Sequence, residues 1–215
     1  YQQAANLGNT RAMLNLGVCY KKGDGVAQDK SKAIQLFQQA ADLGEIRAMN
    51  NLGLCYERGI GVAQDESKAI QLYQQASSLG DTDSMLNLGV CYFKGVSVLQ
   101  DKSKAIQLLQ QAVSLGSKRA VYIQGLCYDK GYCVAQDKSK AIELYQQAAD
   151  MGKIEAMPNL GDHYENGFYV QQDRAKAIQL YQQAADLGNT VAMVSLALSY
   201  DKGDGVPQDK TKAIQ

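Results

Sequence analysis

The dipeptide Gln-Asp stands at Gln28-Asp29, Gln64-Asp65, Gln100-Asp101, Gln136-Asp137, Gln172-Asp173 and Gln208-Asp209, with a spacing of 36 residues each time. So regular a ruler means one small unit used repeatedly, and units of this size bury their apolar faces only against their neighbours. A length of 215 residues would otherwise suggest one or two globular domains. The period leaves no room for them. In register, the units run 9–44, 45–80, 81–116, 117–152, 153–188 and an incomplete 189–215, preceded by the end of a second-type helix over 1–8. The expectation is a single repeat array over 1–215.

Each unit holds two segments with helical apolar spacing. Helix A, typified by Thr10 to Lys22, places Ala12, Met13, Leu16, Gly17, Cys19 and Tyr20 at offsets of three and four and stops at Gly23. Helix B starts after Asp29, a natural N-cap, and carries Ala33, Leu36, Phe37, Ala40, Ala41 and Leu43 up to Gly44. Each helix would be marginal alone, so the two apolar stripes must cover each other and the next unit. The 20 glycines, set against two prolines, follow the same logic. Gly17, Gly53, Gly89, Gly125 and Gly161 recur in mid-helix A, with Ala197 in the last unit, and a site kept this small reads as close helix contact where a backbone approaches. Tyr20, Tyr56, Tyr92, Tyr128, Tyr164 and Tyr200 follow three residues later, placed to fill the gap.

Between the helices, Val26, Val62, Val98, Val134, Val170 and Val206 read as plugs that seat each loop on its hairpin. Gly25, Gly61 and Gly205 supply an unusual backbone angle there, while Ser97, Cys133 and Tyr169 replace them. Those three loops are expected to differ in shape.

The pattern Leu16-Gly17-x-x-Tyr20-x-x-Gly23-x-Gly25-Val26-x-x-Asp29-x-x-Lys32-Ala33, then Phe37-x-x-Ala40-Ala41-x-x-Gly44-x-x-x-Ala48, resembles the Sel1-like repeat, a relative of the tetratricopeptide repeat, over essentially the whole chain. The resemblance implies an all-α fold, a right-handed alpha-alpha superhelix of paired antiparallel helices, used as a noncatalytic scaffold or adaptor for proteins. The Trp that the family often has before the helix B aromatic is Leu36, Leu72, Leu108, Leu144 and Leu180 here.

Cys19, Cys55, Cys91 and Cys127 share one helix A position, continued by His163 and Ser199. Successive members lie a hairpin apart, roughly 10 Å, beyond the ~7 Å between alpha carbons that a disulfide allows. Four thiols so spaced do not converge on a metal either. They read as small core residues, which agrees with a reducing compartment without excluding secretion. Cys133, in a loop, is a free surface thiol or a local bridge to Cys127. His163 beside Asp162 lacks a nucleophile or acid partner in its own segment, and reads as a core or edge histidine. The Ser31-Lys32 and Ser67-Lys68 pairs read as polar helix starts.

With 22 Lys+Arg against 22 Asp+Glu, the chain lacks the basic excess of a nucleic-acid binder. No cofactor is implied. No apolar run approaches the ~20 residues that span a bilayer. Function is therefore sought where repeats differ. In tetratricopeptide-like geometry helix A lines the concave side, and the variable positions there nominate Arg47, Asn50, Glu57, Asp83, Leu86, Phe93, Arg119, Tyr122, Asp129 and Glu155 as the surface for a peptide or protein partner. Leu86, Phe93, Arg119 and Tyr122 form the expected anchor. The alternatives are a structural spacer or an array that self-associates end to end, and less favourably a small-molecule binder or hydrolase. Two irregularities stand out. Gln124 occupies a position where other units bury leucine, and Pro158 should kink or delay the fifth helix A unless its first turn accommodates the ring. Both termini fall in mid-repeat, so this sequence reads as part of a longer chain.

Overall fold

The computed structural model describes residues 1–132 and 134–214, so both readings of Cys133 lie outside the described residues. After α1 (Gln2–Asn6), helices A and B alternate in ruler register: α2 (Thr10–Lys22) and α3 (Lys30–Asp42), α4 (Ile46–Arg58) and α5 (Glu66–Ser78), α6 (Thr82–Lys94) and α7 (Lys102–Ser114). They continue as α8 (Lys118–Lys130) and α9 (Lys138–Asp150), α10 (Ala156–Asn166) and α11 (Arg174–Asp186), then α12 (Thr190–Lys202) and α13 (Lys210–Ala213). The fold is all-α, a tandem series of helical hairpins. The chain gathers into two compact units, Tyr1–Leu115 and Gly116–Gln215, and within each, helix A packs on its own helix B and helix B packs on the next helix A.

The Gln-Asp ruler is a clasp. Gln28 Nε2 donates to the Lys21 carbonyl at 3.0 Å, and Gln100, Gln136, Gln172 and Gln208 repeat this bond onto Phe93, Asp129, Glu165 and Asp201. The glutamine thus satisfies a carbonyl that the end of helix A leaves without a partner. Asp29 Oδ1 accepts from the Lys32 amide at 2.9 Å, and the Asp29 amide donates to the Tyr20 carbonyl at 2.9 Å. Asp65, Asp101, Asp137, Asp173 and Asp209 cap their own helices B in the same way, each cap contributing about 1 kcal/mol.

Gly17, Gly53, Gly125 and Gly161 each seat an aromatic ring of helix B, whereas Gly89 faces the Ala105 carbonyl. A Cβ on Gly17 would lie 2.6 Å from Phe37 Cε1, on Gly53 2.6 Å from Tyr73 Cε1, and on Gly161 2.5 Å from Tyr181 Cε1. Phe37, Tyr73, Tyr145 and Tyr181 are at most 1 % exposed. The expectation that the Tyr20 series fills this gap is therefore corrected: the helix B ring is already there. The Tyr20 series instead lies under helix B lysines, from Lys32 over Tyr20 at 5.3 Å to Lys176 over Tyr164 at 4.1 Å.

The loops hold another correction. Ser97 (φ 50°) and Tyr169 (φ 67°) keep the left-handed conformation of Gly25, Gly61 and Gly205 instead of changing the turn. The clasp fixes both loop ends, so the residue between them accepts a cost of about 1–2 kcal/mol. Ser97 Oγ offsets part of it by donating to Glu66 Oε2 at 2.7 Å.

Pro158 delays its helix. α10 starts at Ala156, two residues later in register than the other helices A, which puts Pro158 in the first turn where a missing N–H breaks no helical bond. Gln124 is half-buried, as is Ile123.

Candidate functional site

In α2, helix A turns Ala12, Met13, Leu16 and Gly17 inward, and the equivalents of Ala12 are buried in every repeat. At about 100° per residue, positions 11, 15, 18 and 22 then form the opposite stripe. In α2 this stripe is Arg11, Asn15, Val18 and Lys22; in α4 it is Arg47, Asn51, Leu54 and Arg58; in α6 it is Asp83, Asn87, Val90 and Lys94. In α8 it becomes Arg119, Ile123, Leu126 and Lys130, in α10 Glu155, Asn159, Asp162 and Asn166, and in α12 Val191, Ser195, Leu198 and Lys202. The first and last residue of every stripe is exposed.

Of the nominated surface, Arg47, Asp83, Arg119 and Glu155 are exposed, whereas Asn50, Leu86 and Asp129 are buried and Glu57, Phe93 and Tyr122 are half-buried. The anchor residues fall in different compact units, Leu86 and Phe93 in the first and Arg119 and Tyr122 in the second. Positions 50 and 122 meet the following helix A: Asn87 Nδ2 donates to Asn50 Oδ1 at 2.9 Å, and Asn159 Nδ2 donates to Tyr122 Oη at 3.0 Å. They join neighbouring repeats.

Position 21 of helix A follows the helix B residue it faces. Lys21 Nζ sits 5.6 Å from the centre of the Phe37 ring. Tyr73 Oη donates to Glu57 Oε2 at 2.8 Å, and Tyr181 Oη donates to Glu165 Oε2 at 3.2 Å and to Asp162 Oδ1 at 2.7 Å. Burial first, then the acceptor carboxylates, push the Tyr73 and Tyr181 phenols above the usual tyrosine range. Where helix B has Leu109 in place of an aromatic, position 21 is Phe93. This pairing was missed from sequence, although the sixteen-residue offset between the partners was readable.

Asp129 is the only buried carboxylate among the described residues, and it gathers charge around it. Its Oδ1 accepts from Lys138 Nζ at 2.8 Å, its Oδ2 lies 2.9 Å from Lys130 Nζ, and His163 Nε2 stands 3.4 Å from Oδ1. Burial raises the Asp129 pKa, but the hydrogen bonds and charges of Lys138 and Lys130 outweigh it and leave the carboxyl below its ordinary value. Tyr145 Oη is buried nearby without reaching hydrogen-bond geometry, and its pKa is raised by burial and then by the Asp129 charge. His163 also faces the Tyr145 ring at 6.2 Å. The histidine thus belongs to an interior network joining the fourth and fifth repeats.

The Sel1 repeat family model matches residues 10–45, 46–81, 82–117, 120–153, 154–189 and 190–215. The chain belongs to the Sel1 repeat family. Among solved structures, this Sel1 repeat chain is similar to a Sel1 repeat protein from Oxalobacter formigenes, at 34% identity and TM-score 0.87, with 97% of this chain and 85% of that one covered. It is also similar to a protective antigen of uropathogenic Escherichia coli strains, at 33% identity and TM-score 0.78, over 99% of this chain. The match spans 45% of that antigen's length. An immunity protein from Pseudomonas aeruginosa is 25% identical with TM-score 0.68, over 95% of this chain and 75% of its own. No curated protein matches.

The Sel1 repeat fold is generally used for protein–protein interaction. Cys55 and Cys91 are buried, Cys19 and Cys127 are half-buried, and Cys19, Cys55 and Cys91 are free thiols. Burial raises the pKa of Cys55 and Cys91, which lowers their thiolate fraction and hence their reactivity. Among the described residues no three His, Cys, Asp or Glu side chains converge as a metal site, and no helix is long and apolar enough to cross a membrane.

Proposed function

We propose that this Sel1 repeat chain is a scaffold that binds peptide or protein segments on the outward faces of helix A within each compact unit. One observation carries the reading: the residues that build the hairpin recur from repeat to repeat, whereas the exposed first residue of the stripe changes character, as Arg11, Arg47, Asp83, Arg119, Glu155 and Val191 show. Packing and capping explain the constant positions, and exposed positions that change between repeats are available for recognition. Arg47, Asp83, Arg119 and Glu155 supply charge in this reading, Phe93 and Tyr122 supply partly covered aromatic surface, and Asn50, Glu57, Leu86 and Asp129 support them from below. A partner recovered by pull-down with the intact chain is retested against Arg47→Glu with Arg119→Glu, and against Phe93→Ala with Tyr122→Ala. Loss of the interaction with retained helicity supports the reading, and unchanged binding by both double variants rejects it.

A second reading, self-association, is favoured by α12. Val191, Val194 and Leu198 form an apolar line on this helix and are 62%, 61% and 51% exposed. If the chain pairs through this face, Val194→Lys with Leu198→Lys yields monomers in sedimentation velocity while the helix A variants above do not.

A further inference from the structure

In the first compact unit the ends of the stripe are not merely variable. Position 22 is Lys22, Arg58 and Lys94 in successive repeats, all exposed, and among the described residues none of the three is in an ion pair. One turn nearer the start of each helix lies an apolar row, Val18, Leu54 and Val90, with Val90 45% exposed. At the far end, Arg11 and Arg47 add two more exposed cations before Asp83 breaks the row. The two anions near this face do not neutralise the position 22 row: Glu57 turns toward helix B to accept from Tyr73, and Asp83 sits at the opposite end of its helix. The three helices lie side by side, because Lys21 Nζ donates to Asn51 Oδ1 at 3.2 Å and Asn87 donates to Asn50 at 2.9 Å.

We propose that this face of residues 1–115 docks an acidic peptide segment in polyproline II conformation, with carboxylates against Lys22, Arg58 and Lys94 and apolar side chains against Val18, Leu54 and Val90. The proposal rests on the scaffold reading above and gives it a partner chemistry. Neighbouring helices A stand about 10 Å apart, and a polyproline II chain advances about 3.1 Å per residue with three residues per turn, so that every third side chain lies on one face. Successive cations of the row therefore face every third residue of a peptide that crosses the helices. Charge complementarity selects an acidic ligand, and the apolar row beside the cations selects a peptide over a nucleic acid, whose phosphate backbone offers it nothing. The second unit lacks the device. Its stripe has Asn166 and Asp162 at the matching positions, and Lys130 is already held by Asp129.

The test uses the whole chain and a fluorescein-labelled peptide of four Glu-Leu-Ser triplets, read by fluorescence anisotropy. Three comparison probes are a peptide of the same composition with its glutamates contiguous, a peptide with Lys replacing Glu, and a labelled single-stranded DNA. The spaced acidic peptide is expected to bind, to weaken as salt rises, and to lose about tenfold or more in affinity in the triple variant Lys22→Glu, Arg58→Glu, Lys94→Glu. The same charge change placed on helix B, as Lys30→Glu, Lys102→Glu, Lys210→Glu, is expected to leave binding within about twofold. Circular dichroism of both triple variants confirms that the helices persist. Equal binding of spaced and contiguous peptides, equal loss in both triple variants, or preference for the DNA overturns the proposal. Failure of all acidic probes, while a pulled-down partner still depends on Arg47 and Arg119, sinks the acidic segment and leaves the scaffold reading standing.

Discussion

The second and third repeats have the same hairpin with different fillings. In the second, Gly53 makes room for Tyr73, whose hydroxyl is received by Glu57 at 2.8 Å. In the third, Leu109 stands in place of the ring, Phe93 in place of the carboxylate, and a Cβ on Gly89 would meet nothing nearer than the Ala105 carbonyl oxygen at 3.5 Å. Both fillings exclude water from the interior, one by a ring with a satisfied hydroxyl and the other with apolar groups alone. Residues that look independently variable along the repeat are thus matched in pairs.

The largest way to break this comparison is to add one methyl to each glycine. Gly53→Ala is expected to lose about 1–3 kcal/mol through overpacking against Tyr73, whereas Gly89→Ala gains up to about 1 kcal/mol of helix propensity. Urea unfolding of the two variants measures both, and equal signs would end the argument that the ring dictates the glycine. A smaller effect is expected from the polar pair. Tyr73→Phe and Glu57→Gln should couple in a double-mutant cycle by about 1 kcal/mol, as a hydrogen bond to a charged acceptor does, while Phe93→Gln gains nothing from Leu109.

Loop strain gives the next contrast. Tyr169→Gly is expected to raise stability by about 0.5–1 kcal/mol, as relief of the left-handed conformation exceeds the entropy that glycine adds to the unfolded chain. Gly61→Ala should do the opposite, because its Cβ would meet the Lys30 carbonyl oxygen at 2.7 Å. Thermal midpoints distinguish them.

The smallest expected effect is on pH dependence. Asp129 has its folded pKa lowered from the ordinary carboxyl value of 3.8, so its stabilising contribution is fully present above that value and is lost as pH falls through the folded pKa. Stability measured from neutral pH down to about pH 3 should fall less steeply in Asp129→Asn than in the wild type. The third repeat, with Phe93 at this position, provides no such term. An unchanged slope in Asp129→Asn would mean that Lys130 and Lys138 do not hold the carboxylate in solution.

Much of the fold was legible before any coordinates. Thr10 to Lys22 and the segment after Asp29 are helices with the expected starts, since capping residues, glycine stops and apolar spacing all act within one or two turns of chain. The delayed start at Pro158 was legible for the same reason. The surface was legible only as a set of variable positions. Asn50, Leu86 and Asp129 look like recognition residues in sequence but are buried, and Asn50 and Asp129 are engaged by the following repeat through Asn87 and His163. No local rule reports those contacts, since the partners lie more than thirty positions away in the chain.

The sequence by itself determined the period, the helices, their caps and the family, because each rests on short-range chemistry repeated every 36 residues. Tertiary structure alone decided what fills the space above each mid-helix glycine and which variable residues remain exposed. It also decided that Ser97 and Tyr169 keep a glycine-like turn. These outcomes depend on how large groups share a common volume, and volume is settled only when the two helices of a hairpin and its neighbour are brought together.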